Sequence, residues 1–274
     1  MNKTKIAIGA ALAGAVVLGA TLVSFSSAQP EQTQSKAPKE RVSTAFSDLE
    51  EDEIGKIVRA YLMDNPEVII EAVNEYQSRL QTAAEEQAKD LAAANLDRLL
   101  DPKTSFIAGK NISKSKVAVI ELYDYHCGFC KRAAGMLNDM AKSDTSLQVI
   151  FRELPILREE SDYAAEMSLA AREQGKFQKF HMAMMQSSGV LTKERVQDLA
   201  RKQGLDVEKM EQAISTGEIG FAISENHDIA RQMATDGTPT FVVASLNGEY
   251  VEVVTGFRPE ELQEKIAAAK KAAN

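Results

Sequence analysis

The sequence predicts an α/β domain interrupted by a block of helices and preceded by an N-terminal helical stalk. Three observations predict it. A β-branched run, "KVAVIELYDY" at 116–125, leads straight into a helical pattern. A long stretch, 160–236, reads as successive helices, each closed by Gly or Ser/Thr. Two β-rich segments, "TPTFVVASL" and "EYVEVVTGF", flank Asn247-Gly248 as a hairpin, and "RPEELQEKIAAAKKA" supplies a last helix. "SLQVIFRELPI" is the other strand, so the order is strand, helix, strand, helical block, hairpin, helix.

The chain ahead of residue 105 has a different texture. Lys3 and Lys5, the uncharged run Ile6 to Phe25 and the small residues "SSA" form an export signal over 1–28. The apolar run also has the length of an uncleaved membrane anchor, and in either form it places the folded part outside the cytoplasm. Residues 29–45 are polar and contain two prolines, a linker composition. Residues 46–104 read as a helical region: one helix from Asp48 to Met63, then a single long one from Asn65 and Pro66 to the stop at Pro102. The stripe Ile69, Val73, Tyr76, Leu80 is too narrow for a solitary helix, which implies a second copy of the chain as partner. Packing back on the chain's own C-terminal domain is the other option. Residues 105–274 then form the α/β domain, with the helical insertion at about 155–236.

With 32 basic against 40 acidic residues and a net charge of −8, a nucleic-acid partner is excluded, because phosphate contact needs a basic surface. The chain has only two cysteines, Cys127 and Cys130, in "HCGFCKRA". Structural zinc wants four ligands, and His126, His181 and His227 are not spaced to complete the set. Cu(I), which accepts fewer soft ligands, stays open. As a structural staple the pair closes too short a loop to restrict the unfolded chain usefully. Where a strand meets a helix N-terminus, unpaired N–H groups and the dipole favour a thiolate. Cys127 is therefore the exposed attacking nucleophile, and Cys130, one turn inward, the resolving thiol. His126 stands beside Cys127 as a source of positive charge when protonated. Lys131 and Arg132 read as a solvated helix face.

At these residues the chain resembles the DsbA-like thiol-disulfide oxidoreductases of the thioredoxin superfamily. The resemblance rests on "CGFC" at 127–130, "GTPTF" at 237–241 and Glu121, six residues before the first cysteine. It implies a thioredoxin fold with an inserted helical subdomain. It further implies a cis Pro239, a substrate strand meeting Thr238, and a buried Glu121 that relays a proton to the resolving cysteine. Gly128-Phe129 with Thr238 is similar to the disulfide isomerase branch, which implies a protein kept reduced by a membrane-bound redox partner and acting on cysteine-containing exported proteins. Gly128, Phe129 and His126 join Thr238 and Pro239 as substrate-contact candidates. No metal and no organic cofactor are called for. "IVRAYLMDNPEVIIEAV", 57–73, resembles the N-terminal region of the ScsC branch, whose members include helical oligomerisation stalks. Two rivals differ in class: a Cu(I)-binding dithiol protein, and an oligomeric holdase using the stalk and the Met cluster "HMAMM" at 181–185.

Overall fold

The computed structural model describes residues 47–274, so the export segment 1–28 and the linker 29–45 lie outside the described residues. The chain divides between Asn65 and Pro66 into two compact units. In the first, helix α1 (Asp48–Asp64) opens on Ser47, whose backbone N–H donates to Glu50 Oε2 at 2.7 Å. It closes where Asn65 Nδ2 donates to the Tyr61 carbonyl. Leu49, Ile57 and Tyr61 remain exposed along it.

The second unit starts with α2 (Glu67–Ala94), a boundary well before the 104/105 division read from the sequence. The expectation of one unbroken helix to Pro102 is corrected: α2 stops at Asn95 and a single turn, α3 (Leu96–Leu99), follows. Asn95 is the cause. Its side chain is buried, Nδ2 donates back to the Leu91 carbonyl at 2.9 Å and Oδ1 accepts from Arg98 Nη1 at 2.9 Å. These local bonds compete with helix propagation. The turn sends Leu99 into the core. The N-terminal half of α2 keeps Ile69, Val73, Tyr76 and Leu80 exposed, whereas Ala92 is fully buried.

Five strands form one sheet: β1 (Phe106–Ala108), β2 (Val117–Tyr123), β3 (Leu147–Glu153), β4 (Thr240–Ser245) and β5 (Val251–Thr255), in spatial order β1-β3-β2-β4-β5. Only β2 and β3 run parallel. β2 and β3 are buried at every position, which explains their near-continuous apolar runs. The edge strand β1 is three residues long and carried no readable periodicity. α4 (Gly128–Ser143) joins β2 to β3. The helical block is α5 (Glu159–Ala170), α6 (Phe177–Met185), α7 (Lys193–Lys202), α8 (Val207–Ser215) and α9 (Glu218–Gln232), and α10 (Pro259–Ala272) ends the chain. In the hairpin, Gly248 takes φ 80°, the left-handed region that costs glycine nothing.

Strand alternation sorts two cores. Val119, Tyr123, Val149 and Phe151 face α4, the insertion and α10; Ala118, Ile120, Leu122 and Ile150 face α2, α3 and α9. Met184 and Met185 are buried in the first core, 0% and 2% exposed, so the reading of "HMAMM" as a cradle for unfolded chains is corrected: these methionines fill space.

In the second core Arg152 is fully buried, yet its guanidinium is satisfied. Nε donates to the Leu99 carbonyl, Nη2 to the Arg98 carbonyl and Thr104 Oγ1, and Nη1 to Asn226 Oδ1. Asn226 Nδ2 donates in turn to the Glu153 carbonyl at 3.0 Å. One amide thus ties α9 to β3, while Arg152 ties β3 to α3. Asn226→Leu is expected to lower stability by about 2–4 kcal/mol, because a buried cationic donor and a carbonyl lose their partner together. The midpoint of urea unfolding measures it.

Candidate active site

β2 delivers its C-terminal end, Tyr123, to a short turn, and α4 begins at Gly128. Asp124 builds the turn. It is 1% exposed, and its Oδ1 accepts from the His126 backbone N–H at 2.7 Å and Ser161 Oγ at 2.9 Å. Its Oδ2 accepts from the N–H groups of Ile156 and Leu157. Cys127 N–H donates to the Asp124 carbonyl at 3.0 Å. One carboxylate therefore locks the cysteine turn to the chain leaving β3. No repeat or spacing singled out Asp124; its only signal was an Asp at a strand end, where such turns form.

Cys127 is the N-cap of α4, and its Sγ accepts from the Cys130 backbone N–H at 3.3 Å. In the dithiol form the Cys127 S–H donates to the Thr238 carbonyl at 3.1 Å. Thr238-Pro239 is a cis peptide bond and places Thr238 over the sulfur. The expectation of an exposed nucleophile is corrected: Cys127 is 4% exposed, because the proline loop covers it. The Cys127 thiol is held down at about 6, first by the Cys130 thiol, then, against the burial that raises it, by Thr238 and the Cys130 and Phe129 backbone N–H groups. Cys130 is fully buried, and burial, aided by its bond to Cys127 and by Glu121, pushes its thiol far upward. Two neighbouring thiols are thus driven apart: one ionises at neutral pH and the other keeps its proton.

Glu121 lies in β2, fully buried, and neither carboxylate oxygen has a hydrogen-bond partner among the described residues. Burial, then the Cys127 charge and Glu153, raise its carboxyl well above the usual range. It is held as a neutral acid that interacts with both sulfurs.

His126 is not where a substrate contact or a thiolate partner would stand. Its side chain is turned inward, with Nδ1 2.8 Å from Ser161 Oγ and Nε2 accepting from the Leu191 N–H at 3.0 Å. Since Nε2 accepts, Nδ1 carries the hydrogen and the ring is neutral. Burial also lowers its pKa. The expected role for His126 is therefore corrected to a joint between the cysteine turn and the insertion. Lys131 likewise donates to the Ser187 carbonyl at 2.7 Å rather than lying on a solvated face. Phe129 is 53% exposed at the site's rim, with the Arg132 guanidinium 4.1 Å above its ring centroid. Gly128 is exposed, and a Cβ there would meet nothing within 4 Å, so the backbone does not demand glycine at this position.

The arrangement brings together Cys127, Cys130, Glu121, Thr238 and Pro239, with Gly128 and Phe129 on the outer rim, and removes His126. A cleft of about 410 Å³ opens on the other side of the proline loop, lined by Thr238, Pro239, Gly256 and, from α2, Gln81, Ala84, Glu85 and Ala88. Sequence reasoning missed the α2 residues, because their helical spacing reads as a surface face and nothing in it reveals the loop opposite.

The DSBA-like thioredoxin domain family matches residues 118–267, and the Copper resistance protein ScsC N-terminal domain family matches residues 50–83. Among solved structures, a thioredoxin-like oxidoreductase from Silicibacter pomeroyi DSS-3 is 34% identical, covering 62% of this chain and 94% of that one, with a TM-score of 0.57. BcfH from Salmonella enterica Typhimurium is 27% identical over 81% of this chain and 96% of its own, with a TM-score of 0.68. ScsC from Proteus mirabilis in a compact conformation shares the fold at 21% identity, covering 81% of this chain and 99% of that one, with a TM-score of 0.55. Among curated sequences, the Na(+)/H(+) antiporter NhaA 1 of Salinispora arenicola is 26% identical over 146 residues, 53% of this chain and 22% of that protein. The chain spans about a fifth of the length of such relatives. No helix among the described residues is long and apolar enough to cross a membrane.

The raised Glu121 carboxyl has a sign that can be tested. A folded-state value above the unfolded one means that the native state binds the extra proton, so this group's contribution to stability falls as pH rises above the ordinary value of 4.5. Glu121→Gln removes that loss. The difference in urea midpoint, variant minus wild type, is expected to grow steadily from pH 5 to pH 8, and a pH-independent difference contradicts a buried neutral Glu121.

Proposed function

We propose that this chain, which belongs to the DsbA-like thioredoxin domain family, is an exported protein disulfide isomerase or reductant working through Cys127 and Cys130. The observation that carries the reading is the divergent pair of thiols beneath the Thr238-Pro239 loop, one lowered to about 6 and the other raised. In the exchange, the Cys127 thiolate attacks a substrate disulfide, forming a mixed disulfide and expelling the other substrate sulfur as a thiolate. Cys130 then loses its proton, attacks Cys127 Sγ, closes the internal disulfide and releases the second substrate thiolate. The dithiol is oxidised by two electrons and the substrate reduced by two. Glu121, the buried carboxyl that interacts with that sulfur, relays the proton: it gives its own to the expelled substrate thiolate and takes the one from Cys130, so it ends the step neutral again.

Isomerisation uses the first half alone: the mixed disulfide is resolved by another substrate thiol, and Cys127 returns as a thiolate. A group that ionises at neutral pH suits this cycle, provided that a membrane-bound redox partner keeps the pair reduced. The substrates are cysteine-containing exported proteins, and the location is extracytoplasmic, supported by the Lys3–Ala28 signal pattern. A second copy of the chain is the partner for the exposed residues Ile69, Val73, Tyr76 and Leu80, a stripe too narrow for a solitary helix.

Reactivation of scrambled ribonuclease tests the proposal. Wild-type reduced protein is expected to restore activity, Cys127→Ser to restore none, and Cys130→Ser to accumulate a mixed disulfide visible on a non-reducing gel. Activity that survives Cys127→Ser removes the reading. Separately, replacing Ile69, Val73 and Tyr76 with Lys is expected to convert an oligomer into a monomer in sedimentation equilibrium, and an unchanged mass rejects the assembly.

A further inference from the structure

The cleft beside the proline loop is a site with a charge. Its inner lip is Thr238, whose carbonyl lies 3.1 Å from Cys127 Sγ. One wall is a face of α2, where the small side chains Ala84 and Ala88 lie beside Gln81 and Glu85. Asp236 and Arg258 also line it. Arg258 is already neutralised, its Nη1 lying 2.8 Å from Glu261 Oε2. Glu85 accepts only a neutral amide, Gln81 Nε2, at 2.9 Å. Neither Glu85 nor Asp236 forms an ion pair with any described residue, which leaves two unpaired acidic residues lining a cavity of about 410 Å³.

A substrate whose sulfur is bonded to Cys127 must lead its chain across Thr238 and Pro239. An extended strand advances about 3.3 Å per residue, so a side chain within about two residues of the substrate cysteine reaches the cleft. We propose that this cleft, walled by α2 and lined by Glu85 and Asp236, selects substrate segments carrying a lysine or arginine beside the reacting cysteine. The inference rests on the thiol-exchange reading and adds a specificity that the cysteine motif does not contain. It also gives the C-terminal half of α2 a part in the site, where it acts on substrate choice and not on the sulfur chemistry.

The test uses the full mature chain, reduced, and short peptides whose single cysteine is held as its glutathione disulfide, with Lys, Ser or Glu at the flanking positions. Cys127 attacks the peptide sulfur, glutathione leaves as a thiolate, and Cys130 releases the reduced peptide. The second-order rate constant for the Lys peptide is expected to exceed that for the Glu peptide about fivefold at low salt and to converge with it as salt screens the carboxylates. In the exposed-site double variant Glu85→Gln, Asp236→Asn the ratio is expected to fall to about one, and Ala84→Lys, which places a cation in the cleft, is expected to invert it. Equal rates in the wild type, or a preference that persists in the double variant, overturn the charge selection and leave the exchange reaction standing. Reduction of none of the three peptides overturns both.

Discussion

The structure depends on one contact: a sulfur capping the first turn of α4 while a proline loop lies over it. The Cys130 thiol and the Cys130 backbone N–H both serve a sulfur that would otherwise be held neutral by its burial, and the loop sets the Thr238 carbonyl beside it. Everything else in the domain holds these two pieces at that separation. Asp124 fixes where α4 starts, and pairing of β4 against β2 fixes where the loop ends, since Thr240 stands opposite Leu122.

Holding the pair has a cost, which falls on Glu121. A carboxyl with no hydrogen-bond partner inside a sheet is unfavourable as a charge, so the group stays protonated. The destabilisation is offset in the same strands by continuous apolar burial on both faces, with Ile120 and Leu122 on one side and Val119 and Tyr123 on the other. Arg152 sits one residue from Glu153 on the opposite face, and there the solution differs: each nitrogen of its guanidinium donates to a carbonyl, a hydroxyl or an amide oxygen. Placing a saturated cation on one face and an unsaturated acid on the other keeps the reactive asymmetry on the side of the cysteines.

Much of this was legible in the sequence, and the rest was hidden for physical reasons. β2, β3 and the hairpin announced themselves through β-branched runs, and the five insertion helices through their punctuation. The cysteine pair could be read from "CGFC" because the N–H groups at a strand-to-helix junction favour a thiolate, whereas "GTPTF" was placed beside it by the family resemblance. What sequence could not carry were contacts between distant segments. Asn95 breaks the long helix through bonds to Leu91 and Arg98, yet asparagine within a helix gives no sign of when it will do so. His126 read by adjacency as a substrate contact and a charge beside the thiolate, yet it joins two segments, because its partners, Ser161 and Leu191, lie 35 and 65 residues away. β1 was too short for periodicity, and Cys127 read as exposed because the loop that covers it lies more than a hundred residues further along.

The account stands most directly on the ionisation of a single sulfur. Alkylation of the reduced protein by iodoacetamide, followed by mass mapping across pH 4 to 10, measures it. The account predicts modification of Cys127 alone, with a rate that rises through a midpoint of about 6. A midpoint near the ordinary value of 9.0, equal labelling of Cys130, or a Cys127 that no reagent reaches at any pH would contradict it.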